Sequence, residues 1–173
     1  MKIVLCDIND DVVKAFEKIK EKFDSQKGFS YSLEVYKGSI LNLSADATIS
    51  PANSYGLMLG GIDGVYARHF GKEFTDKVLS EFEKLPNKQL PVGNAKTIST
   101  NDKKIKNMIF APTMKNPGTR LKNGNSVYKA VKAAFLEAKK KKFNTVLFPG
   151  MGTGVGGLSV DEMQKSFEMG LGI

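Results

Sequence analysis

The stretch DATISPANSYGLMLGGIDGVYARHF, Asp46 to Phe70, decides how the rest of the chain is read. Ala47 to Ser50, with β-branched Thr48 and Ile49, predicts a strand, and Pro51, which has no N–H to donate to a sheet, ends it. A loop carrying Asn53, Gly56, Gly60 and Gly61 follows, and after it the pattern turns helical. A strand, a glycine loop and a helix start bring free backbone N–H groups, the Asn53 amide and the Asp63 carboxylate to one end of a sheet. Nucleotides bind at that place in open α/β folds.

The surrounding chain has 173 residues, 41% of them hydrophobic, which suits a single compact domain, 1–173, with a sizeable core. Its start, MKIVLCDIND, turns acidic after five apolar-leaning residues, too short a run for a secretory signal or a membrane span. A cytoplasmic protein is expected, with no membrane partner. Cys6 is the only cysteine and lies in an apolar run, so a buried, inert thiol is expected and no intramolecular disulfide can form. His69 is the sole histidine, and its expected place is a partly exposed surface or core position. With one His and one Cys, neither zinc binding nor nucleophilic acyl chemistry has support, and no metal or cofactor is expected.

The formal charge of +8 invites a nucleic-acid reading, but among 26 basic residues only Arg68 and Arg120 are arginines. Phosphate and base recognition leans on the bidentate guanidinium, whereas scattered lysines solvate a surface. The run Lys139 to Lys142 falls at a predicted helix C-terminus, where cations complement the dipole. No specific nucleic-acid partner is expected, although the excess positive charge favours a pyrophosphate ligand.

In chain order, Lys2 to Cys6 predict a buried strand, with Asn9 and Asp10 as helix N-caps. Val12, Phe16, Ile19 and Phe23 share one helical face, and Gly28 closes that helix. Tyr31, Leu33 and Val35 alternate with polar neighbours as a half-buried strand, and Gly38 with Ser39 turns the chain. Beyond the first loop, Phe74, Val78, Phe82 and Leu85 have helical period and stop at Pro86. Ala95 to Thr100 and Asn107 to Ala111 read as a hairpin about the turn Asn101 to Lys104. Thr113 to Asn125 is the longest irregular piece and a candidate wall for a ligand site. A helix with Val127, Val131, Ala134 and Ala138 on one face leads to the strand Thr145 to Phe148. The alternation predicts an α/β fold, a three-layer α/β/α sandwich about a mixed sheet.

A second glycine loop, PGMGTGVGGLS, follows that strand, and Ser159 with Glu162 has the spacing of a capping box for the last helix. Gly152, Gly154 and Gly157 satisfy GxGxxG, but only 16 residues remain after Gly157, too few for the next strand and its acidic residue in a dinucleotide fold. No Gly-Lys-Ser/Thr follows either, so a Walker loop is excluded. What remains is physical: glycines let the backbone approach an anion, and the helix near Ser159 points its positive end that way.

These two loops carry a family resemblance. SPANSYGLMLGGIDG resembles the first signature of macrodomains, the ADP-ribose-binding modules, which pairs an Asn-Ala-Ala-Asn tetrapeptide with a glycine run and Val-Asp-Gly. Asn53 takes the place of the second asparagine, Gly60 and Gly61 fall in the glycine run, and Asp63 follows Asn53 by ten residues, as in the branch that removes mono-ADP-ribose. PGMGTGVGG resembles the second signature, Ser-Thr-Gly-x-aromatic-Gly. The resemblance spans nearly the whole chain.

The resemblance implies that Ala52, Asn53, Gly60, Gly61, Ile62 and Asp63 hold the distal ribose. It implies further that Gly150, Met151, Gly152, Thr153, Gly154, Val155 and Gly156 hold the diphosphate, and the turn Gly38 to Ile40 the adenine. Three departures stand out. Ser39 replaces an aspartate at the adenine turn and is a weaker acceptor; Ser50 replaces the leading asparagine; Gly156 replaces the aromatic, which predicts a wider pocket. The glutamate pair of poly-ADP-ribose glycohydrolases is absent, which argues against polymer cleavage. As catalytic residues, Asp63 would orient or deprotonate a water at the anomeric carbon of the distal ribose, and Asn53 would fix the ribose hydroxyls. The competing reading makes Asp63 the cap of the helix it introduces. A mono-ADP-ribosyl hydrolase or ADP-ribose-1″-phosphate phosphatase is thus expected; the alternative is a non-catalytic reader or sequestering protein. The expected partners are ADP-ribose or a derivative, or an ADP-ribosylated protein, for a monomeric chain.

Overall fold

A computed structural model describes residues 1–173 as one six-stranded sheet with helices on both faces. In chain order the elements are β1 (Lys2–Asp7), α1 (Asp10–Asp24), β2 (Ser32–Lys37), β3 (Ala45–Ser50), α2 (Gly61–Glu83), β4 (Lys96–Ser99), β5 (Ile105–Phe110), α3 (Asn125–Lys140), β6 (Thr145–Pro149) and α4 (Val160–Leu171). Spatially the strands run β2-β1-β6-β3-β5-β4, parallel throughout except for β4, which closes one edge antiparallel to β5. The expected three-layer mixed fold and its hairpin are both present. No helix is long and apolar enough to cross a membrane.

Strand parity sorts the core. Ile3 and Leu5, Ala47 and Ile49, Val146 and Phe148 face one side, where Phe16, Val131 and Phe167 bring in α1, α3 and α4. Val4 and Cys6, Met108 and Phe110, and Leu147 face the other, under Tyr66, Phe74, Val78 and Phe82 of α2. The same parity points Thr48 and Ser50 of β3 at α2, where both are fully buried and need partners. Thr48 Oγ1 meets the Tyr66 hydroxyl at 2.8 Å, and Ser50 Oγ donates to Asp63 Oδ1 at 2.7 Å. Asp63 and Tyr66 lie three residues apart on one helix face, so these two bonds fix the register of α2 against the sheet.

Local expectations are met with shifts. Asn9 caps α1, accepting from Asp11 and Val12 N–H, but α1 ends at Asp24, before Gly28. Ser159 caps α4 by accepting from the Glu162 N–H, while the Glu162 carboxylate takes the Ser159 hydroxyl instead of completing a capping box. One feature of α2 was not expected: Gly71 leaves the helical region at φ 80°, a left-handed backbone that favours glycine, and breaks the helix in two.

Because five strands run parallel, the segments that follow β1, β2, β3, β5 and β6 gather on one rim of the sheet. The site is built there.

Candidate functional site

A cleft of about 1050 Å³ occupies that rim. One wall is the first glycine loop, from Pro51 to Val65, and the opposite wall is the second, from Gly150 to Ser159. Ser39 and Ile40 close one end beside Ile8 and Asn9 of the β1–α1 turn; Thr113, Met114, Pro117 and Gly118 close the other. Of the expected site residues, Ser39, Ile40, Ala52, Asn53, Gly60, Gly61, Ile62, Asp63, Gly150, Gly152, Thr153, Gly154, Val155 and Gly156 all line this cleft. Met151 does not: its side chain is fully buried in the core with Val127 and Met163, because the chain alternates inward as it leaves β6.

Asp63 is only 7% exposed and sits in the first turn of α2. It does not cap that helix, whose N-cap is Gly60 with no side-chain bond. Its carboxylate instead accepts the Ser50 hydroxyl at the end of β3. Burial pushes the Asp63 carboxyl up to about 7, and the Ser50 hydrogen bond opposes that rise. A carboxylate that titrates near neutrality at the wall of a cleft is suited to moving a proton.

Asn53 is tied into its own loop. Its Oδ1 accepts from the Tyr55 and Leu57 N–H groups at 3.1 and 3.3 Å, and its Nδ2 donates to the Leu57 carbonyl at 2.7 Å. An amide has two donors and two acceptor sites, so one N–H is left for a ligand. The residue shapes the loop first.

The anion-binding capacity lies in the backbone. The first helical bond of α2 runs from the Gly64 N–H to Gly60, which leaves the N–H groups of Gly61, Ile62 and Asp63 without intrahelical acceptors. In the second loop the N–H groups of Thr153, Gly154, Val155 and Gly156 find no backbone acceptor. Asp7 anchors that loop at its root, accepting from the Gly150 N–H at 3.1 Å and from the Asn9 N–H at 2.9 Å. No lysine or arginine lines the cleft, whereas Asp7, Asp11 and Asp63 do, so a bound anion is held by dipoles rather than by side-chain cations.

The expected widening at Gly156 is offset. A Cβ there would fall 2.6 Å from the Gly152 carbonyl oxygen and 3.0 Å from Leu121 Cδ1. Leu121, on the segment after β5, packs where the missing side chain would begin. Asp7, Ile8 and Asn9 were missed by sequence reasoning: a strand end followed by a helix cap reads as structure, and only the placing of β1 beside β6 brings it to the rim. His69 lies away from the cleft lining, partly exposed, 3.9 Å from Asp102 and edge-on to Phe70.

A three-layer α/β sandwich about a mostly parallel sheet, with a ligand-sized cleft between two glycine loops, defines the class of protein. Residues 49–167 match the Macro domain family, and the chain belongs to it. An uncharacterised protein of Aquifex aeolicus is 42% identical over 73% of this chain and 72% of its own length. One from Aeropyrum pernix is 36% identical over 82% and 71%. Among solved structures, the macrodomain of Mycobacterium tuberculosis DarG superposes with a TM-score of 0.68 at 18% identity, over 79% of this chain and 88% of that one. A glycine-to-valine variant of the Oceanobacillus iheyensis macrodomain with ADP-ribose gives 0.68 at 19% identity, over 79% and 74%.

Proposed function

We propose that the cleft takes ADP-ribose or a derivative and that Asp63 acts in hydrolysis of the group attached at C1″ of the distal ribose. The carrying observation is the buried Asp63 carboxylate, held by Ser50 in the wall of a cleft that backbone N–H groups of both loops, without backbone acceptors, also line. The adenine lies at the end formed by Ser39, Ile40 and Ile8, the diphosphate along Gly152 to Gly156, and the distal ribose against Asn53 and the start of α2. This direction puts the anion on the N–H groups and the anomeric carbon near the one carboxylate buried in the wall. In the reaction, the ionised Asp63 accepts a proton from a water whose oxygen bonds to C1″. The C1″–substituent bond breaks and its electron pair leaves with the substituent. The remaining Asn53 N–H orients a ribose hydroxyl. The neighbour with ADP-ribose bound supports the ligand class.

The test incubates wild type and Asp63→Asn with a mono-ADP-ribosylated protein and with ADP-ribose-1″-phosphate. Release by wild type, slowed about 10²-fold or more in the variant, is expected for a general base. Saturating ADP-ribose, at 100 times its Kd, stabilises either protein by about 2.7 kcal/mol. A thermal shift without any release would make the protein a reader; no shift and no release would refute the pocket.

A further inference from the structure

α3 presents a solvent face of one sign. Its exposed side chains are Asn125, Lys129, Lys132, Leu136, Lys139 and Lys140, and from Lys129 onward they recur at spacings of three and four, which sets them in one stripe. The opposite side of the helix, with Val127, Val131 and Ala134, is buried against the sheet. Lys141 and Lys142 carry the stripe past the helix end. The one acid of the helix, Glu137, is turned away and accepts the Thr97 hydroxyl of β4 at 2.8 Å. None of the six lysines pairs with a carboxylate. The other helices mix both signs on their exposed sides: Lys14, Glu17 and Lys18 on α1, Lys72 and Glu73 on α2, Asp161 and Lys165 on α4.

The helix dipole favours cations in the last turn, which accounts for Lys139 and Lys140 but not for Lys129 and Lys132 in the first half. Lys142 occupies the turn that ends the helix, with its N–H on the Lys139 carbonyl at 3.0 Å and the Phe143 N–H on that of Ala138 at 3.2 Å. Its φ is 55°, the left-handed region that suits glycine, yet the chain carries a lysine there. Among the cations stands an apolar side chain, Leu136, 53% exposed. Lys139 Nζ lies 5.4 Å from the centre of the half-buried Phe135 ring beside it. α4 adds Met169, 62% exposed, at the level of Lys132: a Cβ on the neighbouring Gly170 would fall 3.2 Å from the Lys132 backbone nitrogen.

We propose that this face docks on an anionic phospholipid bilayer, with α3 lying in the plane of the headgroups, its lysines on lipid phosphates, and Leu136 and Met169 reaching the acyl boundary. Helices with a lysine-rich side and apolar side chains among the cations bind such surfaces through both terms at once. A nucleic-acid backbone would match the lysines but leave both apolar side chains in water, and the stripe has no arginine for bidentate phosphate contacts. The expectation of no membrane partner follows from the lack of a long apolar run, which bears on crossing a bilayer and not on lying against one. The docking face is independent of what the cleft binds.

Flotation of the full chain with vesicles tests this, equal parts phosphatidylglycerol and phosphatidylcholine being compared with phosphatidylcholine alone. Wild type is expected to float with the anionic vesicles only and to be released as salt screens the surface charge. A lysine near an anionic surface contributes about a factor of five, so Lys132→Glu/Lys139→Glu is expected to lose about 25-fold or more in partition. Leu136→Ser, at unchanged charge, is expected to lose about fivefold. Lys72→Glu/Lys84→Glu makes the same change of charge on α2, across the sheet, and is expected to float like wild type. Absence of flotation by wild type, equal loss from both lysine pairs, or an unaffected Leu136→Ser would each overturn the proposal. So would release from the vesicles by an oligonucleotide at equal phosphate concentration, which would assign the face to nucleic acid. Circular-dichroism melts in buffer establish that each variant is folded, and Lys132→Gln/Lys139→Gln, expected to fall midway, repeats the test without reversing charge.

Discussion

Between the unfolded carboxyl value of 3.8 and about 7, the folded chain keeps a proton on Asp63 that the unfolded chain has released. The folded value is the raised one, so this stability is fully present below 3.8 and is lost as pH climbs through 7. The rise from 3.8 to about 7 corresponds to about 4 kcal/mol at most. Asp63→Asn has no such titration. Its urea midpoint should therefore vary less than wild type's between pH 4 and 8, and exceed it at pH 8. Activity runs the opposite way, since the ionised form is the base, and the rate should rise with an inflection near 7. Ser50 donates to the charged form, so Ser50→Ala should move that inflection upward by about one to two pH units, given roughly 1.5–3 kcal/mol for a hydrogen bond to a charged group. A pH–rate profile of both proteins checks this. Asp63 was legible from its place after the glycine run. Its partner was not, because strand parity and the choice of sheet face, rather than sequence spacing, set Ser50 against it.

The second glycine loop shows which glycines the element requires. Gly152 has φ 85°, and a Cβ there would lie 2.7 Å from Val127 Cγ2 and 3.0 Å from Leu158 Cδ1. A Cβ on Gly154 meets nothing within 4 Å, and its φ is unremarkable. Gly152→Ala should therefore cost about 1–3 kcal/mol by overpacking and left-handed strain, while Gly154→Ala should be close to neutral for folding. Thermal melts of the two variants separate them, and calorimetry with ADP-ribose then shows whether Gly154 is needed for close approach of the ligand. Strand, loop and helix were readable at both sites, as was the hairpin, because each is local: proline stops a strand, glycine permits a turn, and apolar period names a helix. The β1–α1 turn was not readable as part of the cleft. Its position depends on β1 pairing with β6, more than a hundred residues away.

At the scale of the molecule, the two faces of the sheet are closed by different helices, and Cys6, on the α2 face near the cleft end of β1, is 1% exposed. Burial, assisted by Asp7, pushes its thiol up to about 12, so the thiolate is scarce at neutral pH. A thiol reagent should modify Cys6 at the rate of unfolding and no faster, which stopped labelling in native buffer and in urea would measure. The family match begins at residue 49, yet β1 lies inside the sheet between β2 and β6. Trimming the chain to the family's borders would remove β1, β2 and Ala45 to Thr48 of β3, and so bare both hydrophobic margins of β6, an invitation to self-association. Such a fragment should collect in inclusion bodies. Supplying 1–48 as a separate peptide during refolding should restore solubility, the missing strands being delivered in trans.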